Sequence, residues 1–270
     1  MTLSVVIPTR NEEANIGACI DAFATVRSDL EIIVVDNFSG DRTRDIAAGK
    51  LVNVLLQGPE RCAQRNRGWR AATGGYVMFV DADMIVPEAT VREILCRCRA
   101  HDADCWYVRE VRSGGGLRVR ARNFERSFYD GTCIDALRVV RRDLLEKTGG
   151  YDENLIACED WDLDRRLLAA GAKTAVTDGF LLHNEARQSL AKLLKKKAYY
   201  SASVAAYRGK WKDDETCRRQ FGLAYRFFGV FTERGKWRRL LRHPLLAAVM
   251  YFERFAVGAT YLAHRRGKPA

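Results

Sequence analysis

The sequence predicts an α/β fold, with a mostly parallel central sheet flanked by helices and a basic helical extension at the C-terminus. Three observations predict it. Short apolar, β-prone runs alternate with helical stretches through the first half of the chain, joined by short connections, which is the pattern of a parallel sheet covered on both faces. Acidic and polar residues follow directly on those runs, where open α/β sheets bind ligands. The formal charge of +11 falls between His183 and His243, where sixteen Lys or Arg meet five Asp or Glu, so the rest of the chain is balanced.

Leu3 to Ile7 is the first strand, ended by Pro8. Asn11 is expected to cap a helix through Ile16, Ile20 and Phe23, with Glu12 and Glu13 in its first turn. Arg10, between strand and helix, can meet a phosphate or a base, or make a surface salt bridge. No GxGxxG follows this strand, so the dinucleotide fingerprint is absent. Glu31 to Val35 is the second strand, and Asp36 at its end can accept hydrogen bonds from a ribose or base, or cap the turn. Ser39 is expected to cap a short helix through Ala48. Leu51 to Leu56 is the third strand. Pro59 opens a helix on which Arg61 and Arg65, four apart, share a face, as a diphosphate clamp or as solvated charge.

Val77 to Val80 reads as a buried strand, and Asp81-Ala82-Asp83 follows it. Two carboxylates this close repel unless a cation or donors hold them. A hard divalent ion carrying phosphate oxygens does so, and a plain strand-end turn is the alternative. A helix from Glu88 to Arg99 comes next, then a strand from Asp104 to Val111. After Gly114-Gly115-Gly116, the alternation of Arg118, Arg120 and Arg122 predicts an extended segment with all three on one face, either a lid over an anion or an edge hairpin. Ala136 to Val140 is a further strand. Cys158-Glu159-Asp160-Trp161 opens an amphipathic helix with apolar Leu163, Leu167 and Leu168. Acids at a helix start suit the dipole, and one beside a reacting hydroxyl can serve as a general base. Ala172 to Thr177 is a strand leading to a loop in which His183 is a candidate ligand beside Asp83, in a set that suits Mg²⁺ or Mn²⁺.

Arg187 begins a long basic helical pattern with Leu190, Leu193 and Leu194. Leu245 to Gly258 is nearly membrane length but is interrupted by Glu253 and Arg254. Such composition suits an interfacial segment on an anionic membrane surface, a homo-oligomer contact, or ordinary packing. Nucleic acid is argued against, because no reading fold or aromatic platform is present. No apolar run reaches eighteen residues, no secretory segment opens the chain, and the eight cysteines are irregularly spaced without a CxxC pair. A cytoplasmic enzyme with reduced thiols, peripheral on the inner face of the cell membrane, is the expectation.

Leu3 to Glu12, Val34 to Thr43, Asp81-Ala82-Asp83 and Glu159-Asp160 stand in an order and at separations that resemble the inverting glycosyltransferase family two, of the A-type nucleotide-diphospho-sugar transferase fold. The resemblance covers residues 1–185, the expected catalytic domain, and leaves 186–270 as the extension. It implies that Pro8, Arg10 and Glu12 border the nucleotide base and that Asp36 binds base or ribose. Arg65 would approach the nucleotide or its phosphates, Asp81 the nucleotide sugar, and Asp83 the metal. Asp160 would be the general base and His183 would complete the metal or diphosphate site. Glu159 and Arg187 are candidates for the diphosphate or the acceptor. One departure is Asp36-Asn37-Phe38-Ser39, where many members have Asp-Asp-Gly-Ser. The implied activity is metal-dependent transfer from a nucleoside-diphosphate sugar with inversion; the resemblance does not identify the acceptor, and the basic extension, read as a membrane contact, suggests a lipid-linked or polyprenyl-phosphate one. A sugar nucleotidyltransferase and a non-catalytic membrane scaffold are the alternatives. The first would normally need a glycine-rich phosphate loop where Pro8 to Glu12 stands.

Overall fold

The computed structural model describes residues 2–184 and 203–266, with side chains to 256. Among the described residues eight strands form one sheet in the order β3-β2-β1-β4-β7-β6-β8-β5. The first four are β1 (Leu3–Thr9), β2 (Leu30–Asp36), β3 (Asn53–Leu56) and β4 (Tyr76–Phe79). They pair parallel, with Thr9 opposite Asp36 and Val6 opposite Phe79. β5 (Met84–Ile85) and β7 (Leu137–Arg141) run against the others, whereas β6 (Cys105–Arg112) and β8 (Thr174–His183) pair parallel. The sheet is therefore mostly parallel, as expected.

Burial on both faces explains the uninterrupted apolar strands. Leu3, Val5, Ile7, Tyr76 and Met78 join one core, where Ile16 and Ile20 of α1 (Ile16–Asp21) and Val91, Ile94 and Leu95 of α4 (Glu88–Ala100) cover them. Val6, Val35, Val77 and Phe79 join the other. There Trp69 of α3 (Arg61–Ala71), Leu144 of α6 (Arg142–Thr148) and Leu163 of α7 (Glu159–Ala169) cover them.

Four local expectations are corrected. Pro8 lies inside β1 rather than beyond its end, because it faces Val35 of β2. Asn11 does not cap α1: it has a left-handed φ of 54° and its side-chain oxygen accepts from the Gly40 backbone N–H. Ser39 does not cap α2 (Thr43–Gly49), since its N–H and hydroxyl both turn back to Asp36, and Asp41 accepts from the Thr43 N–H instead. Arg118, Arg120 and Arg122 lie on a helix, α5 (Leu117–Arg126). Helical spacing puts Arg118 and Arg122 on one face, where both pair with Glu253.

Beyond residue 202 the chain forms α8 (residues 203–210), α9 (Glu215–Phe221), a π-helical turn at Tyr225–Gly229, α10 (Val230–Thr232), α11 (Trp237–Arg242) and α12 (Pro244–Arg266). These helices share cores with the sheet domain. Tyr207 and Cys217 pack with Leu155 and Trp161, and Phe231 and Met250 pack with Phe128 and Ile134. Lys210 bridges Asp152 and Asp162 at 2.7 and 2.8 Å, and Arg254 pairs with buried Glu125. Among the described residues no helix is long and apolar enough to cross a membrane.

Candidate active site

Four strand ends and one helix start converge above the carboxyl edge of β1, β2 and β4. α3 is held there by Gln64, whose side-chain amide donates to the carbonyls of Thr9, the last residue of β1, and Val35, the last but one of β2. The next residue, Arg65, is thereby fixed with its side chain only 1% exposed. Its guanidinium lies 5.1 Å over the Tyr151 ring. It donates to Asp81 Oδ1 at 3.0 Å and to Asp160 Oδ1 at 2.8 Å, and faces Glu159 at 3.6 Å. Burial opposes the charge on Arg65, but the surrounding carboxylates outweigh it and hold the guanidinium more firmly protonated than usual. Arg61, one turn earlier, reaches Glu159 at 3.3 Å, so the predicted shared face of Arg61 and Arg65 exists.

Asp81 is also 3.6 Å from Arg138 of β7. Burial disfavours its charge, yet Arg65 and Arg138 hold its carboxyl well below the usual carboxylate range. Asp83 faces the other way, with Oδ2 at 3.1 Å from His183 Nε2. His183 is not in a loop: β8 runs out to it and pairs it with Met84 of β5, which follows Asp83 directly. Glu12 completes the acidic side. Burial, and then Asp83, Asp41 and Asp81, push its carboxyl up despite a hydrogen bond from Asn15.

Asp36 is fully buried and accepts from the Ser39 N–H at 2.8 Å. Asn11 N–H donates to the Ser39 hydroxyl and Glu12 N–H to Thr43 Oγ1, so the loops after β1 and β2 are stitched together. Pro8 is buried within this stitched edge and Arg10 is exposed beside it. At the start of α7, burial and the neighbouring Asp160 raise the Glu159 carboxyl to about 7. Arg187 lies outside the described residues.

Two residues of this network carry no signal from the motifs. Glu110 of β6 pairs with Arg138 and with Arg126 of α5, and lies 4.0 Å from His183 Nδ1. Arg138 thus joins Glu110 to Asp81. A lone arginine inside the apolar run Leu137 to Val140 was the available sign.

The donors fit a divalent cation in one respect. One carboxylate and one imidazole sit 3.1 Å apart, and Glu12 beside them has its carboxyl pushed up by burial and by acids that include Asp83. Among the described residues no three His, Cys, Asp or Glu side chains converge on a point. Asp83 and His183 would supply two ligands, which suits Mg²⁺ or Mn²⁺ shared with phosphate oxygens and water.

The fold and this carboxylate–arginine edge define an A-type nucleotide-diphospho-sugar transferase architecture. The chain belongs to glycosyl transferase family 2, whose family model matches residues 4–149. It is 39% identical over 98 residues to glucosyl-3-phosphoglycerate synthase of Mycolicibacterium smegmatis, covering 32% of this chain and 32% of that protein. It is 27% identical over 204 residues to glycosyltransferase AglE of Haloferax volcanii, covering 63% of this chain and 62% of that one. The chain thus spans less than two thirds of both relatives. Among solved structures, the mannosyltransferase PcManGT of Pyrobaculum calidifontis, with GDP-Man and Mn²⁺, superposes with a TM-score of 0.61 at 19% identity over 99% of this chain and 81% of that one. Glucosyl-3-phosphoglycerate synthase of Mycobacterium tuberculosis, with Mn²⁺, UDP and glucosyl-3-phosphoglycerate, gives a TM-score of 0.55 at 22% identity over 77% and 80%. The likeness to these structures is one of fold.

Proposed function

We propose that the chain is a metal-dependent glycosyltransferase that moves a sugar from a nucleoside-diphosphate sugar to an acceptor oxygen with inversion. The observation that carries the reading is Arg65, buried between Asp81 and Asp160 beside the Asp83–His183 pair. Solved relatives of this fold with GDP-Man, or with UDP, and Mn²⁺ support the donor class and the metal.

In this reading Pro8, Arg10, Glu12 and Asp36 border the nucleoside, on the stitched edge of β1 and β2. Asp81 orients the nucleotide sugar, itself aligned by Arg65 and Arg138. Asp83 and His183 would hold Mg²⁺ or Mn²⁺, which supplies charge neutralisation at the diphosphate. Arg65 contributes fixed positive charge toward the same phosphates, already oriented by its three acidic neighbours. Asp160 has one oxygen bound to Arg65, and its other oxygen accepts the proton of an attacking hydroxyl. The new C–O bond forms on the face opposite the diphosphate. The anomeric C–O bond breaks and its electron pair leaves on the phosphate oxygen, so one displacement inverts the centre. An acceptor phosphate already ionised would need Asp160 for position rather than for proton removal.

Residues 1–185 would carry the donor chemistry and 186–270 the acceptor side, for which a lipid-linked or polyprenyl-phosphate acceptor is the reading. Eight free cysteines fit a cytoplasmic enzyme, and the basic last third fits an anionic inner membrane face. Calorimetric titration with uridine and guanosine diphosphates, with and without Mn²⁺, tests the core of it. Tighter binding of one of them with Mn²⁺ is expected. The absence of any metal-enhanced nucleotide binding would overturn the assignment.

A further inference from the structure

A cavity of about 550 Å³ lies between α5, the start of α7 and the helices beyond residue 219. None of Arg65, Asp81, Asp83, Asp160 and His183 lines it, but two of its wall residues are their immediate neighbours in the fold. Trp161, in its wall, follows Asp160, and Arg112, also in its wall, pairs with His183 in the register of β6 and β8. Five arginines line it against two glutamates, Glu125 and Glu253. Arg122 and Arg254 are matched to those glutamates and Arg126 is matched to Glu110. Half-buried Arg226 differs, for its side chain makes no ion pair or hydrogen bond among the described residues. A guanidinium taken partly out of water without a carboxylate is a seat for an anion.

Directly after Arg226 the wall turns aromatic. Phe227 lines the cavity and packs on Phe255 with ring centroids 5.4 Å apart. Phe228 stacks on Tyr251, and Tyr251 on Phe255, both at 6.3 Å. Phe228, Phe252 and Phe255 are exposed, and so is Leu223 at the cavity wall. A charged pocket with a contiguous exposed aromatic rim has two chemistries in series.

We propose that this cavity is the acceptor subsite and that it takes an anionic amphiphile. The phosphate or carboxylate pairs with Arg226 and the apolar portion lies along Phe227, Phe228 and Phe255. Calling it an acceptor site rests on the glycosyltransferase reading, whereas the binding itself does not. The π-helical turn carrying Arg226 and Phe227 offers the charge and the ring from adjacent positions.

The test is calorimetry of the full chain with decyl phosphate below its micelle concentration, beside inorganic phosphate and decyl maltoside. Decyl phosphate is expected to bind about tenfold more tightly than either, since one charge-assisted hydrogen bond or a few buried methylenes is worth that factor. Arg226→Gln should weaken decyl phosphate by about the same factor. Phe228→Ser should weaken decyl phosphate and leave inorganic phosphate unaffected. Equal binding of inorganic phosphate would overturn the apolar half, and equal binding of decyl maltoside the anionic half. Unchanged decyl phosphate affinity in Arg226→Gln, folded by circular dichroism, would overturn the site. Nucleoside diphosphate titrated into the same wild-type sample reports separately. Amphiphile binding without nucleotide binding would remove the donor reading and keep this cavity, and the converse would do the reverse.

Discussion

Asp81 and Asp160, 79 positions apart in the chain, are held on the two branches of one guanidinium, at 3.0 and 2.8 Å from Arg65. The two carboxylates stay together because the arginine is buried and cannot leave. Its removal leaves Asp81, Asp160 and Glu159 facing one another without their shared cation. Arg65→Met is expected to lower stability by about 3–5 kcal/mol, as breaking a buried ion pair does. Urea denaturation reads this as a lower midpoint at unchanged slope. Arg65→Lys should recover only part, because one ammonium cannot span both acids. An unchanged midpoint in Arg65→Met would show that the network does not hold the fold.

Asp83 and His183 are predicted to act as a pair on the metal and on nothing else. Asp83→Ala and His183→Ala should each abolish the increment that Mn²⁺ adds to nucleoside-diphosphate affinity, with circular dichroism unchanged. A variant that keeps the increment removes its residue from the role.

Asp160→Asn separates binding from proton transfer. Turnover of a hydroxyl acceptor should fall by about 10²–10⁴-fold while nucleotide affinity changes little. Retained turnover would mean that the attacking oxygen needs no base here.

Glu159 carries a pH dependence with a definite sign. Its carboxyl is raised from an ordinary 4.5 to about 7, by burial first and by Asp160 second. A carboxyl harder to ionise folded than unfolded favours the fold at low pH. That contribution is full below 4.5 and is lost as pH rises through 7. Glu159→Gln removes the loss, so its melting temperature relative to wild type should climb between pH 5 and pH 8. A flat difference would mean that Glu159 ionises in the fold as it does in water.

Gly68 brings α3 against the sheet. A Cβ there would stand 2.3 Å from Val6 Cγ1 and 3.2 Å from Val35 Cγ2. Gly68→Ala should cost about 1–3 kcal/mol by overpacking, and lower the melting temperature by about 2–4 °C for each. Because Arg65 rides on the same helix, nucleotide affinity should fall with it. A variant of wild-type stability would mean that α3 can lift freely.

The alternation of strands and helices was legible because both faces of the sheet are buried, so β1, β2 and β4 read as unbroken apolar runs. Asp81, Asp83 and Glu159-Asp160 were visible as acids at the ends of such elements. Arg138 and Glu110 were not, because each is a single charge inside a strand and its partner is far away in sequence. The alternation of Arg118, Arg120 and Arg122 suggests an extended segment where α5 is a helix. The informative spacing there was four: Ala121 and Glu125 share its buried face, and Arg118 and Arg122 share the face toward Glu253. The turns after β1 and β2 escaped capping rules because their donors and acceptors answer each other across two loops.

The sheet also sets a timetable. β7 sits beside β4 but is laid down after β6, and His183 meets Asp83 across 100 positions. A chain growing from its N-terminus can pair β1 to β4 among themselves while Asp81, Asp83 and Glu12 still lack Arg138, Asp160 and His183. Long-range partners of this kind arrive late during synthesis. The edge of β1, β2 and β4 is therefore assembled early and the Arg65–Asp81–Asp160 and Asp83–His183 contacts are closed last; on the proposed function, an unfinished chain would have a scaffold for the donor but no chemistry to perform on it.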